Sequence, residues 1–151
     1  GITCSVDNQY DLSIVNNRAY GYSQNDGEYS RDDQSLTSAV LGDGGIYTSL
    51  YEMIYWDQSL YIGQLVPLEI LNEAFTSGEI SNGEKTGYGF GWRMDTYLYR
   101  NRAHHTGSTR GFRNVFMRFP DQQISILILT NRNSGRPINI AEKIADYLFD
   151  A

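Results

Sequence analysis

The residues best suited to chemistry cluster in His104-His105-Thr106-Gly107-Ser108-Thr109-Arg110-Gly111-Phe112, which holds both histidines of the chain. Neighbouring residues on a strand point to opposite faces, so His104 and His105 cannot serve one metal ion without a bulge. No third ligand stands at a suitable spacing, which argues against a zinc site. One histidine can face a cleft while the other packs. The glycines after them allow a bound group to approach the backbone closely. Amide groups there can stabilise an oxyanion. Read on composition alone, the same residues also describe a glycine-containing strand end with a surface histidine pair.

An activated nucleophile is harder to find. There is no Gly-x-Ser-x-Gly elbow, and Gly107-Ser108 has the wrong spacing for one. No serine precedes a lysine by three residues, and the chain is read as lacking a Tyr-x-Asn element as well. Tyr47-x-Ser49 has a related shape, but helix capping explains its serine. Lys85-Thr86-Gly87 looks like a catalytic triplet, yet it follows the polar Ser81-Asn82-Gly83-Glu84 and is assigned to a loop. Cys4 lies in a polar segment with no adjacent base and is given no role. The 12 tyrosines, 6 phenylalanines and 2 tryptophans suit core and edge packing, with Tyr47, Tyr88 and Trp92 as candidates to line a groove.

These residues need a scaffold, and 151 residues fit one ordinary domain. A complete domain of this size buries roughly 70% of its unfolded surface. With 18 acidic and 12 basic side chains the net charge is -6, the wrong sign for gripping a phosphate backbone or an anionic membrane. The longest apolar run, Ile124 to Leu129, contains a serine and falls far short of the roughly 20 residues that span a bilayer. One cysteine excludes an internal disulfide framework and a cysteine-built zinc site. The chain opens at Gly1 rather than Met and reads as the middle of a protein, with any signal peptide either removed or never part of these residues.

Along the chain, residues 1–43 are polar and loop-rich, with short apolar touches at Leu12, Ile14, Val15, Tyr20 and Tyr22 and at most one short strand. Residues 44–76 read as helical. Ser49 and Glu52 form a capping-box pattern, and Leu50, Met53, Ile54, Leu60 and Tyr61 recur at helical spacing up to Gly63. Pro67 starts a second helix that runs to about Phe75. Residues 87–131 read as antiparallel strands. Tyr88, Phe90, Trp92 and Met94 alternate with Gly89, Gly91, Arg93 and Asp95, which predicts a strand. Further strands are expected at about Arg102 to Gly107, Phe112 to Phe119 and Gln123 to Thr130, with a turn at Pro120-Asp121. Ile124, Ile126 and Ile128 face one way and Leu127 and Leu129 the other, so that strand should be covered on both sides. A final helix over 137–150 would bury Ala141, Ile144, Ala145 and Leu148. The class is α+β, helices packed on an antiparallel sheet.

The combined pattern resembles the C-terminal portion of the serine β-lactamase-like family, which includes class C β-lactamases, penicillin-binding proteins, esterases and D-aminopeptidases. The resemblance covers nearly the whole chain. It rests on Arg18-Ala-Tyr-Gly-Tyr22, Leu41-Gly-Asp-Gly-Gly-Ile-Tyr-Thr-Ser49 with Trp56-Asp57, Tyr88-Gly-Phe-Gly-Trp92, His105-Thr-Gly-Ser-Thr-Arg-Gly-Phe112, Phe119-Pro-Asp121 and Leu129-Thr-Asn-Arg-Asn133. It implies acyl transfer through a serine ester, with a β-lactam, peptide or ester as substrate and neither metal nor organic cofactor. Of the family's three active-site elements only the third is matched, at His105-Thr106-Gly107. His105 would face the substrate, Thr106 and Gly107 would shape the strand edge, and the Ser108 amide would donate to the oxyanion. Arg136 and Asn139 receive no role, because the charges after the last strand differ from the family's pattern.

The resemblance further implies that three strands of the sheet lie in this chain and that the nucleophile lies earlier in the parent polypeptide. Export to the periplasm or cell surface follows from the same resemblance. The alternative is a non-catalytic binding module of the same fold. A Ser-x-x-Lys and a Tyr-x-Asn encoded upstream of Gly1 favour the enzyme, whereas a natural start codon near Gly1 favours the module. An aromatic-lined carbohydrate-binding domain fits less well, because the strand faces mix tyrosine with arginine, asparagine and glycine. The chain alone should be catalytically silent and should hide its uncovered apolar surface by self-association or by pairing with the missing half. Nitrocefin and p-nitrophenyl esters should therefore not be turned over by these 151 residues. Turnover lost on replacing Ser108 or Ser49 would show that the nucleophile inventory is wrong.

Overall fold

The computed structural model describes residues 5–6, 15, 17–33, 42 and 44–150. Cys4, Leu12 and Ile14 lie outside the described residues. A short strand β1 (Ser5–Val6) pairs with β4 (Ile46–Tyr47), and β2 (Tyr22–Asn25) forms a hairpin with β3 (Glu28–Arg31). Helices α1 (Leu50–Ile62) and α2 (Leu68–Ala74) follow. The main sheet has the order β5 (Arg93–Tyr97), β6 (Arg100–Thr109), β7 (Phe112–Phe119), β8 (Ile124–Thr130), all antiparallel, and α3 (Pro137–Phe149) closes the chain. No helix among the described residues is long and apolar enough to cross a membrane.

The α+β class is as the sequence predicts, and α1 starts as predicted. Ser49 Oγ accepts from the Glu52 amide at 3.3 Å while Glu52 Oε2 accepts from the Ser49 amide at 3.0 Å. Gly63 ends the helix in the left-handed conformation, with φ 64°. Helix α2 is one residue shorter at each end than predicted, because Pro67 takes an extended backbone, with ψ 144°, just before the first turn.

Other expectations change. The predicted strand over Tyr88 to Met94 is a series of bends, and strand structure starts only at Arg93. Gly87 and Gly91 adopt φ 66° and φ 76°, conformations that break a strand and that glycine tolerates. A Cβ on Gly89 would collide with the Ala74 carbonyl, and the Phe90 amide donates to that same oxygen at 3.0 Å. Alternation with glycine therefore imitates a strand while serving a tight docking of this segment against the end of α2. The sheet accordingly has four strands here, not the three that the family resemblance implies. The first 43 residues also hold a complete hairpin around Asp26-Gly27, where at most one strand was expected. Its faces are polar on both sides, so no apolar alternation marks it; the Asp-Gly pair is the signal that could have.

The two faces of the sheet bury different things. Toward α3, Val115, Met117, Phe119 and Ile126 form the core with Ala141 and Ala145. Both alanines are fully buried, so the helix lies close on the sheet, whereas Ile144 and Leu148, expected inside, are 39% and 44% exposed. The opposite face carries Arg118, which is 1% exposed. Its Nε donates to Asp57 Oδ1 of α1 at 2.6 Å, and Ser125 Oγ of β8 donates to the same oxygen at 2.8 Å. The Arg118 guanidinium also lies 4.4 Å from the Tyr61 ring centroid and 5.3 Å from that of Phe75. The helix is thus held by a charge, and its predicted apolar stripe is largely open: Leu50 is 54% and Ile54 53% exposed. On β8, Ile126 is buried, but Leu129 is 39% exposed, so cover on the α1 side is incomplete.

Removing Asp57 would leave a buried guanidinium without its counter-ion. Asp57→Ala should cost about 3–5 kcal/mol in urea denaturation, and adding Arg118→Met should recover part of that loss. Equal stability of the single variant and the parent would show that the pair does not hold α1.

Candidate active site

Strand β6 carries all four residues singled out as candidates. Register places Arg93 opposite His104 and Tyr97 opposite Arg100, so β5 covers β6 only as far as His104. Residues 105–108 have no strand neighbour on that side among the described residues, while β7 pairs with them on the other. Thr106, Gly107 and Ser108 are exposed along this open edge. Backbone groups of an unpaired edge are available to an incoming ligand.

The two histidines diverge as the strand period requires. His105 lies on the α1 side, cross-strand from Phe116, which packs on Trp92 at 5.5 Å between ring centroids. Its Nδ1 is 2.8 Å from the Thr106 carbonyl, which can only accept. Nδ1 therefore carries the proton, and Nε2 accepts from the Tyr88 hydroxyl at 2.9 Å. The Tyr88 ring meets His105 edge-on. From the sequence, Arg93 has no role, and Tyr88 stands only as a residue that could line a groove, with no link to His105. Its signal was present in Tyr88-Gly-Phe-Gly-Trp92, but a strand there would not have turned the phenol to His105.

His104 lies on the α3 side and is 5% exposed. Its Nε2 is 3.3 Å from Asp95 Oδ2. Arg102 holds Asp95 through two hydrogen bonds of 2.6 and 2.7 Å and reaches Glu142 of α3 at 2.9 Å. Burial pushes the Asp95 carboxyl up, but the Arg102 hydrogen bonds and charge outweigh it and hold the group below the ordinary carboxylate range. Burial and the Arg102 charge push His104 below the ordinary imidazole range, against the pull of Asp95.

Beside the open edge is a cavity of about 270 Å³. It is lined by Thr106, Ser108 and His104 from β6 and by Arg93, Arg113 and Arg136. No carboxylate pairs with these three arginines among the described residues. Arg113 Nη1 donates to the carbonyls of Arg110 and Phe112 at 2.9 and 2.6 Å, while Arg93 lies 5.7 Å from the Tyr88 ring centroid. In a chain of net charge -6, this is a local concentration of positive charge suited to an anion. Asn139, the other residue given no role, is exposed in the first turn of α3.

The remaining sequence candidates lie elsewhere. Lys85 pairs with Glu79 at 2.6 Å across an exposed turn and is not on β6. Ser49 is consumed by the helix cap. The expectation that no tyrosine precedes an asparagine by two residues is corrected by Tyr99-Arg100-Asn101. Arg100 and Asn101 open β6, with Asn101 donating to Asp121 at 3.0 Å, and Tyr99 lies in the β5–β6 turn, wholly exposed at φ 58°. It stands six residues from His105 along one strand, roughly 20 Å away, and takes no part in the site.

The matches to known proteins define the family and the fold. The beta-lactamase family model matches residues 10–149, and the chain belongs to that family, a family of serine hydrolases. It is similar to a penicillin-binding protein of Bacillus subtilis (strain 168), 24% identical over 71% of this chain and 28% of that protein. It is similar also to a D-aminopeptidase of Gluconobacter oxydans (strain 621H), 25% identical over 69% of this chain and 20% of the relative. The chain therefore spans about a quarter of the length of these curated relatives. Among solved structures, a penicillin-binding protein from Bacillus halodurans aligns with a TM-score of 0.75 at 19% identity, covering 94% of this chain and 44% of that one. The octameric penicillin-binding protein homologue from Pyrococcus abyssi aligns with a TM-score of 0.73 at 21% identity, covering 87% of this chain and 31% of that one. Both share the fold.

Proposed function

We propose that this chain forms one wall of the active-site cleft of a serine acyl hydrolase, with the serine nucleophile on polypeptide outside these 151 residues. In this reading residues 1–43, 44–76, 87–131 and 137–150 are parts of a single β-lactamase-like domain rather than separate units. The parent reaction is acyl transfer from a β-lactam, peptide or ester to that serine, followed by hydrolysis. The substrate lies along the open edge of β6. The Ser108 amide donates to the developing oxyanion, where such a donor is worth about 3 kcal/mol. His105 presents an imidazole whose Nε2 already engages the Tyr88 hydroxyl at 2.9 Å on the cleft side. Thr106 and Gly107 keep the edge narrow enough for the substrate backbone.

One observation carries the reading: the His105-Thr106-Gly107 edge adjoins a cavity lined by three guanidinium groups that no carboxylate among the described residues neutralises. A substrate carboxylate placed there, with the Thr106 hydroxyl and Arg93, would fix the scissile carbonyl near Ser108. The cavity is close to the lower limit of about 300 Å³ for ligand pockets, which suits one small charged group better than a whole drug-sized molecule. In the same reading the exposed apolar side of α1 is covered by the rest of the parent protein or by a second copy. Sedimentation of the isolated chain as a monomer that binds no apolar dye would reject that part.

The carboxylate site is tested by titrating the chain with N-acetyl-D-alanine and with its uncharged amide. The acid should perturb the Thr106 and Ser108 amide resonances and the amide should not. Arg93→Ala should weaken binding about tenfold, in line with loss of a charge-assisted hydrogen bond of about 1.5 kcal/mol. Equal binding of acid and amide would reject the site.

A further inference from the structure

His104 is a titratable group for which acyl transfer has no use. Its side chain is 7% exposed, and its Nδ1 is buried with no hydrogen-bond partner among the described residues. The ring borders the cavity, but Nδ1 itself has almost no accessible surface, so the charge of the ring answers to what the cavity holds through the field across a short, poorly screened gap. Asp95 Oδ2 can only accept, so Nε2 carries the proton of the neutral ring and Nδ1 is a bare acceptor. Protonation would turn Nδ1 into a second donor, again with nothing to receive it.

The surrounding charges oppose that protonation while the cavity is empty of anions. From β5, Arg93 sits directly cross-strand and Asp95 accepts from Nε2. On β6 itself, Arg102 is tied to Asp95. From β7, the cross-strand neighbour is the apolar Met117, with Arg113 further along the cavity wall. From α3, Glu142 is turned to Arg102, and Arg136 lines the cavity at the helix start. The net surroundings are cationic, and desolvation adds to the penalty on a charged ring. A carboxylate entering the cavity would supply the missing element, negative charge beside Arg93 and close to the His104 ring.

We propose that His104 takes up a proton from solvent when a carboxylate enters this cavity, so that anion binding there is proton-linked. The inference rests on the carboxylate-binding reading of the cavity given above. One anion and one proton enter together, leaving the net charge of the chain unchanged, and no covalent bond forms or breaks. His104 is a positioning residue in this scheme. The sign follows from linkage: binding raises the His104 midpoint from its depressed value, so affinity climbs as pH falls between the free and bound midpoints and is flat above the higher one. A rise of ~1 in the midpoint corresponds to ~tenfold in affinity across that window.

The chain has only two histidines, so imidazole NMR spectra hold two sets of signals, assigned with His104→Gln and His105→Asn. Titrating the chain in pH with and without N-acetyl-D-alanine should move the His104 midpoint upward, and the uncharged amide should leave it in place. His104→Gln keeps an N–H toward Asp95 but cannot take up the proton, so its affinity for the acid should be independent of pH. If that variant does not fold, the parent titration still decides. Binding of the acid with an unmoved His104 midpoint overturns the proton linkage and leaves the carboxylate site standing. Failure of the acid to bind removes the carboxylate site and the linkage with it.

Discussion

The arrangement of this molecule hangs on one buried ion pair. Arg118 stands on the middle of β7 almost without solvent contact, and Asp57 on α1 is its counter-ion. A buried guanidinium is tolerated only where a charge and hydrogen bonds meet it, so the pair dictates how α1 crosses the sheet. The same guanidinium has Tyr61, Phe75 and Trp92 around it. Trp92 packs on Phe116, and Phe116 is the cross-strand neighbour of His105. Trp92 also ends the bend that begins at Tyr88, so the phenol that meets His105 is placed by packing that leads back to Arg118. The cleft side of the sheet is thus organised by a charge, where the α3 side is organised by close-packed apolar residues.

The period of a β-strand divides β6 into two chemistries. His105 looks toward the α1 side with a hydrogen-bonding partner at each ring nitrogen. His104, one residue earlier, looks toward α3 and is locked to Asp95 with one nitrogen unpaired. The same alternation puts Thr106 on the cavity side with the arginines. A strand edge that ends its pairing with β5 at His104 leaves Thr106, Gly107 and Ser108 with no strand neighbour on that side among the described residues. The geometry needed for substrate alignment comes from where one strand stops, as much as from which side chains are present.

Much of the framework was legible in the sequence. The capping box at Ser49 and Glu52, the three long strands and the final helix all follow from local chemistry and period, and the family match rests on short motifs in a fixed order. Reading failed where a pattern had two meanings. The alternation from Tyr88 to Met94 suits a strand, but glycines with positive φ and a close approach to Ala74 make it a bend. The helical spacing of Leu50 and Ile54 predicts burial, whereas those residues remain open because α1 meets the sheet through Asp57 and Tyr61, both against Arg118. The hairpin at Asp26-Gly27 carries no apolar face, and its partner is the chain end of β8: the Tyr22 amide donates to the Asn131 carbonyl at 3.1 Å.

What the amino acids determined alone were short-range matters: helix starts and stops, the strand period, the opposed directions of His104 and His105, and the membership of a motif set. These depend on bonds and contacts within a few residues, which a linear reading contains. Tertiary structure decided the rest. That Tyr88 meets His105, that Arg93, Arg113 and Arg136 surround one cavity, and that Asp57 neutralises Arg118 all join residues distant in sequence. Their coming together depends on how helices and strands pack, and no spacing along the chain encodes such a distance.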